Sequence, residues 1–189
     1  WDGTIGNVIF TLTDGSYLVT TGKQLAWIAD QVNSGKNDFK DKKFKLGNNI
    51  DLNNIPWTPI GKDVNHVFKG TFNGNNKTIS NLNVEVDSGL YDAALAGLFG
   101  CVAQEGKIQK LKLENVNVTA KIASKENTQT YNYAGGLAAI NEGEISNCAV
   151  LSGNITSQNA NMNYAGGLVG WNLYGTIKAS YNLAGVTTI

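Results

Sequence analysis

Few side chains in this 189-residue sequence are equipped for catalysis or metal binding. His66 is its sole histidine, which excludes a histidine-rich metal centre and a relay of two imidazoles. All 15 basic residues are lysines, so no guanidinium fork is present to grip phosphate or carboxylate in two places. Glycoside hydrolysis needs two carboxylates set across one bond. After Asp92 the acidic residues are Glu105, Glu114, Glu126, Glu142 and Glu144, all in turn-like segments whose register does not converge. His66, in Asn65-His66-Val67-Phe68 beside Lys62-Asp63, reads as a lone general base or as a loop residue ahead of a strand, and the loop fits better. Asp51 with Asn53 and Asn54 offers oxygens to calcium, yet no EF-hand spacing follows, and an Asp bonding its own turn accounts for it. No catalytic residue, metal or cofactor is therefore expected.

Tyrosines are the stronger signal. Tyr133 and Tyr164 precede equivalent Ala-Gly-Gly-Leu turns, and Leu95 holds that place one unit earlier. The segments before them, Lys121 to Asn132 and Ser157 to Asn163, are polar and longer than a turn requires, so they read as loops projecting from one edge. Tyr131, Tyr133 and Tyr164, with nearby Asn side chains, are the candidate ligand-binding residues: rings to stack on a sugar and amides to bond its hydroxyls. The competing reading is that Tyr133 and Tyr164 close the edge of the fold, as Leu95 does.

The elements that must carry these rings follow from internal repetition. Ala134-Gly135-Gly136-Leu137 recurs as Ala165-Gly166-Gly167-Leu168, with a shorter relative at Ala96-Gly97-Leu98-Phe99-Gly100. Each precedes a Gly-x-Ile: Gly106-Lys107-Ile108, Gly143-Glu144-Ile145 and Gly175-Thr176-Ile177, with the isoleucines 37 and 32 residues apart. Thr78-Ile79-Ser80-Asn81 reads like Ile145-Ser146-Asn147, and Phe44 to Leu52 like a degenerate first copy, which gives about five units. Apolar residues inside a unit recur at short, strand-like spacing, and Gly and Asn separate them, so each unit is several short strands joined by turns. Coiling the chain into a parallel β-helix lets each turn bond its neighbours and stacks equivalent side chains inside. Ile79, Ile108, Ile145 and Ile177 should form one internal row, and Leu98, Leu137 and Leu168 another. In this register Cys101 aligns with Ile140 and Trp171, and Cys148 with Leu82, Leu111 and Ser180. The cysteines fall on different rows, as two buried thiols rather than a disulfide.

The N-terminal region departs from this pattern. Leu25, Ile28, Ala29 and Val32 lie on one face of a predicted helix, with Thr21 and Gln24 as a capping box and Gly35 as the stop. Such a helix suits the end of a solenoid, which must cover its exposed core. Residues 1–45 are thus expected to form a strand and helix cap, and residues 46–189 the coil. The chain opens on Trp1-Asp2-Gly3-Thr4, without the basic and apolar regions of a signal peptide, so an export signal would lie outside it. It ends inside a strand-like segment, as a fragment of a longer array would.

The Ala-Gly-Leu-Phe-Gly and Ala-Gly-Gly-Leu runs resemble the GLUG motif. The upstream segment Ile50-Asp51-Leu52, Trp57-Thr58-Pro59-Ile60-Gly61 and Phe68-Lys69-Gly70-Thr71-Phe72-Asn73-Gly74 is similar to the module that precedes GLUG repeats in bacterial surface proteins. It occurs also in the non-catalytic part of immunoglobulin A-cleaving metallopeptidases. The resemblance implies an all-β, right-handed parallel β-helix of about five coils, exported or at the cell surface, adhesin-like and non-catalytic. Its partners would be a glycan, a host surface protein or further domains of a longer chain, or it would serve as a structural spacer. The peptidases' His-Glu-x-x-His motif is absent from this sequence. The alternative is a polysaccharide lyase or glycosidase on the same scaffold. With 15 Asp+Glu against 15 Lys the chain is neutral, which argues against nucleic acid. No run of 18 apolar residues exists, so no membrane insertion by this segment is expected. Three Asn-x-Thr triplets, at Asn76, Asn117 and Asn154, recur because the unit recurs.

Overall fold

A computed structural model describes residues 1–6, 8–87, 92–122 and 128–189. The chain opens with β1 (Thr11–Thr13) and β2 (Ser16–Val19), an antiparallel hairpin turned by Asp14 and Gly15, both at positive φ. Helix α1 (Gly22–Asn33) follows, the one α-helix among the described residues. Thr21 caps its start: the Gln24 backbone N–H donates to Thr21 Oγ1, and the Thr21 backbone N–H donates to Gln24 Oε1. Gly35, at φ 71°, terminates it in the left-handed conformation a glycine takes without strain. Leu25, Ile28, Ala29 and Val32 are all buried in the main core, so the helix covers the coil's end.

Next, β3 (Lys43–Leu46) and β4 (Ile50–Asp51) make an incomplete turn. Three complete turns of five strands succeed it. The first is β5 (Thr71–Asn73), β6 (Thr78–Ser80), β7 (Asn83–Val86), β8 (Ala93–Ala96) and β9 (Phe99–Val102). The second is β10 (Lys107–Gln109), β11 (Lys112–Glu114), β12 (Val116–Ala120), β13 (Tyr131–Gly135) and β14 (Ala138–Asn141). The third is β15 (Glu144–Ser146), β16 (Ala149–Val150), β17 (Gly153–Ser157), β18 (Met162–Gly166) and β19 (Val169–Asn172). Strands β20 (Thr176–Lys178), β21 (Tyr181–Asn182) and β22 (Gly185–Thr188) open another turn without completing it. Equivalent strands of successive turns pair in parallel, giving five sheets that run along the coil. The protein is an all-β solenoid of about three turns. The expected five coils counted the partial turns at either end as whole ones.

The first internal row is Phe44, Phe72, Ile108, Ile145 and Ile177. Its first four members are at most 1% exposed, and each such side chain contributes about 1.5–3 kcal/mol by leaving water. Ile79 does not belong to it. Ile79 stacks between Ile50 and Leu113 in the next sheet, and Phe72, in Gly70-Thr71-Phe72, holds the place expected for Ile79. Leu82 is displaced likewise, whereas Leu111 and Ser180 do flank Cys148. The error has a physical source. Strands of one turn end in similar corners, with Asn81 at φ 56° and Asn147 at φ 54°, so a strand–Asn pair recurs within a turn as well as between turns. Leu98 and Leu137 are fully buried and Leu168 packs against the same core, as expected.

Candidate functional site

The rings singled out from the sequence meet where β13 turns into β14. Gly135 is required there: a Cβ on it would stand 2.1 Å from the Ala138 carbonyl oxygen and 2.7 Å from the Gly170 nitrogen. Backbone approaching this closely leaves no room for a side chain. Ala134 and Ala138 belong to the interior core, whereas Tyr133 and Ile140 belong to a second apolar cluster. That cluster also buries Leu95, Cys101 and Ala139, and Val67, Ala93, Tyr131, Tyr164 and Leu173 pack against it. Outward-facing side chains of two adjacent sheets thus touch across the glycine corner.

Tyr133 is the centre of this strip. Its ring lies 6.2 Å from Tyr131, 5.1 Å from Tyr164 and 5.3 Å from Trp171, centroid to centroid, with interplanar angles of 2°, 12° and 13°. Register explains the convergence, because Leu95, Tyr133 and Tyr164 align in one sheet and Cys101, Ile140 and Trp171 in the next. Tyr133 is only 7% exposed, and burial, with the neighbouring Tyr164 and Tyr131 hydroxyls, pushes its phenol up to about 12. It is a floor. Trp171, at 40% exposed, is the most exposed of these rings, and Tyr131 and Tyr164 are half-buried. The sequence reading aligned Trp171 with Cys101 but assigned it no role; the signal was that alignment together with the Tyr164 it follows by seven residues. A cleft of about 160 Å³ runs over Tyr131, Tyr133, Ile140 and Trp171, with Asp63 and Val64 on its far wall.

The described residues beside the strip are tied down. Residues 123–127, including Glu126, lie outside the described residues. Asn132, one of the Asn residues near the tyrosines, is fully buried and its polar atoms are engaged. Its Oδ1 accepts from the Ile122 N–H at 3.0 Å, and its Nδ2 donates to the Gln158 carbonyl at 2.6 Å. Thr130 is likewise buried, donating from both backbone N–H and Oγ1 to Asn161 Oδ1 at 2.9 and 2.8 Å. Thr130 and Asn132 are therefore clamped to the neighbouring segment at Gln158 and Asn161.

The other candidates resolve into structural roles. Asp63, 4% exposed, accepts from the backbone N–H groups of Asn65 and His66, and both its oxygens sit within 2.9 Å of His66 Nδ1. Burial alone would raise this carboxyl, but the His66 ring and the two N–H donors hold it below its ordinary value. The His66 ring lines a different cavity, beside Gly35 and Lys69, and so does not address the aromatic strip. Asp51 Oδ1 accepts from the Asn53 N–H, the local turn bonding expected of it, and also from the Asn81 Nδ2 of the next turn. Glu105 pairs with Lys40 and Glu144 with Lys178. Cys101 and Cys148 are buried free thiols, pushed up to about 12 and about 11 by burial. Among the described residues no three His, Cys, Asp or Glu groups converge as metal ligands, and no helix is long and apolar enough to cross a membrane.

Comparison with known proteins follows the fold more than the site. No family model matches the chain, so the GLUG resemblance rests on the motifs alone. A solved structure from Bacteroides ovatus, named as a candidate immunoglobulin A1 protease, superposes with a TM-score of 0.60 over 93% of this chain and 60% of that chain. At 19% identity the likeness speaks for the solenoid fold alone. Halomucin of Haloquadratum walsbyi is 40% identical over 63 residues, which are 33% of this chain and 1% of that protein.

Proposed function

We propose that this chain is a non-catalytic, adhesin-like module of a secreted or surface protein that binds a neutral glycan along the outer aromatic strip. The observation that carries the reading is the strip itself: Tyr131, Tyr164 and the exposed Trp171 gathered over Tyr133 on the outside of the coil, above a small cleft. Aromatic faces stack on the C–H faces of sugar rings without needing charge, which suits a neutral chain without arginine. Successive coils repeat at roughly the ~4.8 Å spacing of β-strands, so rings from neighbouring turns follow one another along a line, as units of an extended oligosaccharide do. A location outside the cell agrees with the name of the Bacteroides ovatus protein, a candidate immunoglobulin A1 protease. The same reading takes the coil as right-handed, because parallel strands joined by crossovers almost always turn that way. Tyr131, Tyr164 and Trp171 are the contact residues and Tyr133 their support.

The test is a glycan array followed by titration of any neutral oligosaccharide it retains, run beside a polysaccharide-digestion screen. Trp171→Ala should weaken binding about tenfold, which is about 1.4 kcal/mol, with the fold intact. Unchanged affinity in that variant removes the strip from the interaction, and release of cleaved sugar by the native chain overturns the non-catalytic reading.

A further inference from the structure

A cationic face occupies two sheets of the coil that the aromatic strip does not use. They are the sheet holding β3, β5 and β10 and the one holding β4, β6 and β11. Successive side chains of a strand point to opposite faces, and here Phe44, Phe72, Ile108, Ile79 and Leu113 take the inside. Their neighbours therefore point out. Lys43 stands in one outward column with Thr71 and Lys107, two strand spacings apart, which is about 10 Å. Lys45 heads the adjoining column, followed by Asn73 and Gln109. Where one sheet bends into the other, Lys110 sits at φ 53° and is exposed. Just beyond it the Lys112 N–H donates to the Lys77 carbonyl at 3.2 Å, which sets these two lysines on adjacent coils. Lys43, Lys107 and Lys112 are exposed, whereas Lys45 and Lys77 are half-buried. None of the six forms an ion pair with a described carboxylate.

The chain as a whole is neutral, so this face concentrates positive charge that is balanced elsewhere. Asp51 and Glu114, in one column with Ser80, border it. Glu144 follows Lys107 in its column, but its Oε1 is held by Lys178 at 2.8 Å. Gathering like charges on neighbouring strands costs stability, and an anionic partner returns that cost. Lysine is a point charge on a flexible stem, suited to single anions set apart from one another. Between the lysines lie Thr71, Thr78 and Gln109, whose hydroxyls and amide can bond sugar hydroxyls. No outward position of β3, β5, β6, β10 or β11 is aromatic, so nucleic-acid bases would find no ring to stack on. The separation of Lys43 from Lys107 is about the length of an extended disaccharide. We propose that this face binds a linear acidic polysaccharide with one carboxylate or sulfate per disaccharide, laid along the coil with successive acid groups at Lys43 and Lys107. Lys45, Lys77, Lys110 and Lys112 supply the field around it.

The experiment is calorimetric titration of the intact chain at low salt with three hexasaccharides. Hyaluronan carries one carboxylate per disaccharide, κ-carrageenan one sulfate, and an agarose fragment no charge. One or both acidic fragments should bind saturably, the tighter marking the anion held, and the neutral fragment should not bind at this face. Binding should weaken several-fold at physiological ionic strength, because exposed charges are screened. Lys43→Gln with Lys107→Gln should lower affinity about tenfold while the melting temperature stays unchanged. Lys62→Gln with Lys121→Gln removes the same charge outside the face and should change affinity little. Glu114→Gln removes a bordering carboxylate and should tighten binding. Trp171→Ala should leave acidic-fragment binding intact, which separates this face from the aromatic strip. The proposal fails if neither acidic fragment binds saturably, or if the two double lysine variants lose affinity equally. It fails also if a single-stranded DNA oligomer of the same charge binds more tightly than either fragment, since the face would then answer to charge and not to a sugar chain.

Discussion

Replacing Tyr133 with alanine separates support from contact in the aromatic strip. The ring is 7% exposed and packs against Leu95, Cys101 and Ile140 as well as three near-parallel aromatic neighbours. Truncating a buried aromatic side chain costs about 3–5 kcal/mol, and each aromatic pair adds about 0.5–1.5 kcal/mol beyond its area. The strip lies outside the coil, so Tyr131 and Trp171 can relax into the gap, and we take the lower end, about 3 kcal/mol. Folded domains are held by about 5–15 kcal/mol, so Tyr133→Ala should remain folded at 25 °C but melt about 6–12 °C lower. Trp171→Ala, losing a ring 40% exposed, should cost about 1 kcal/mol. Urea titration with a shared slope reads both values. A Tyr133→Ala cost below about 0.5 kcal/mol, or a Trp171→Ala cost equal to it, would refute the division into floor and contact.

Leu25→Ala, at a position with no exposure, should destabilise by about 2–5 kcal/mol in the same titration, and a loss under about 0.5 kcal/mol would detach the helix from its capping role. Asn132→Ala leaves the Ile122 N–H and the Gln158 carbonyl without their partner, so about 1–3 kcal/mol should be lost and the backbone amide of Ile122 should exchange faster. Cys101 and Cys148 should not react with a thiol reagent at pH 8 until the chain unfolds; reaction at the unfolded rate would show them accessible. Their folded-state values, about 12 and about 11, lie above the ordinary 9.0, so the unfolded chain loses thiol protons first and stability should fall as pH climbs from about 9 toward 12. A double Cys→Ala variant with the same alkaline decline would refute that attribution.

Much of the fold was legible because strand spacing and corner chemistry are local. Thr21 with Gln24, the apolar face of Leu25, Ile28, Ala29 and Val32, and the stop at Gly35 specify the helix through contacts within one or two turns of chain. The Ala-Gly-Gly-Leu runs announce a backbone approach that forbids a Cβ, and the structure shows the carbonyl that forbids it. Register was legible only where a whole unit repeats. From Ile108 onward the rows follow the sequence, but upstream the strand–Asn corner of β6 imitates that of β15 one face away, and only pairing between turns places Phe72, not Ile79, beside Ile108.

The site divides in the same way. Residue type and repetition drew attention to Tyr131, Tyr133 and Tyr164, since equivalent positions of a coil must lie side by side. Which ring is floor and which is surface depends on Trp171, reached across the glycine corner from a different sheet, so tertiary packing alone could bury Tyr133 and leave Trp171 in solvent. Asn132 shows the same limit: its amide is a sugar donor by composition and a buried staple by location. The packing of the cap's aromatic residues was invisible for a related reason. Phe10, Tyr17, Trp27, Phe39 and Phe44 share no period, and a hairpin, a helix and a strand each bring part of a circuit that exists only once they pack. Periodicity encodes what stacks along the coil, whereas contacts between non-equivalent segments are set by the distances that folding creates.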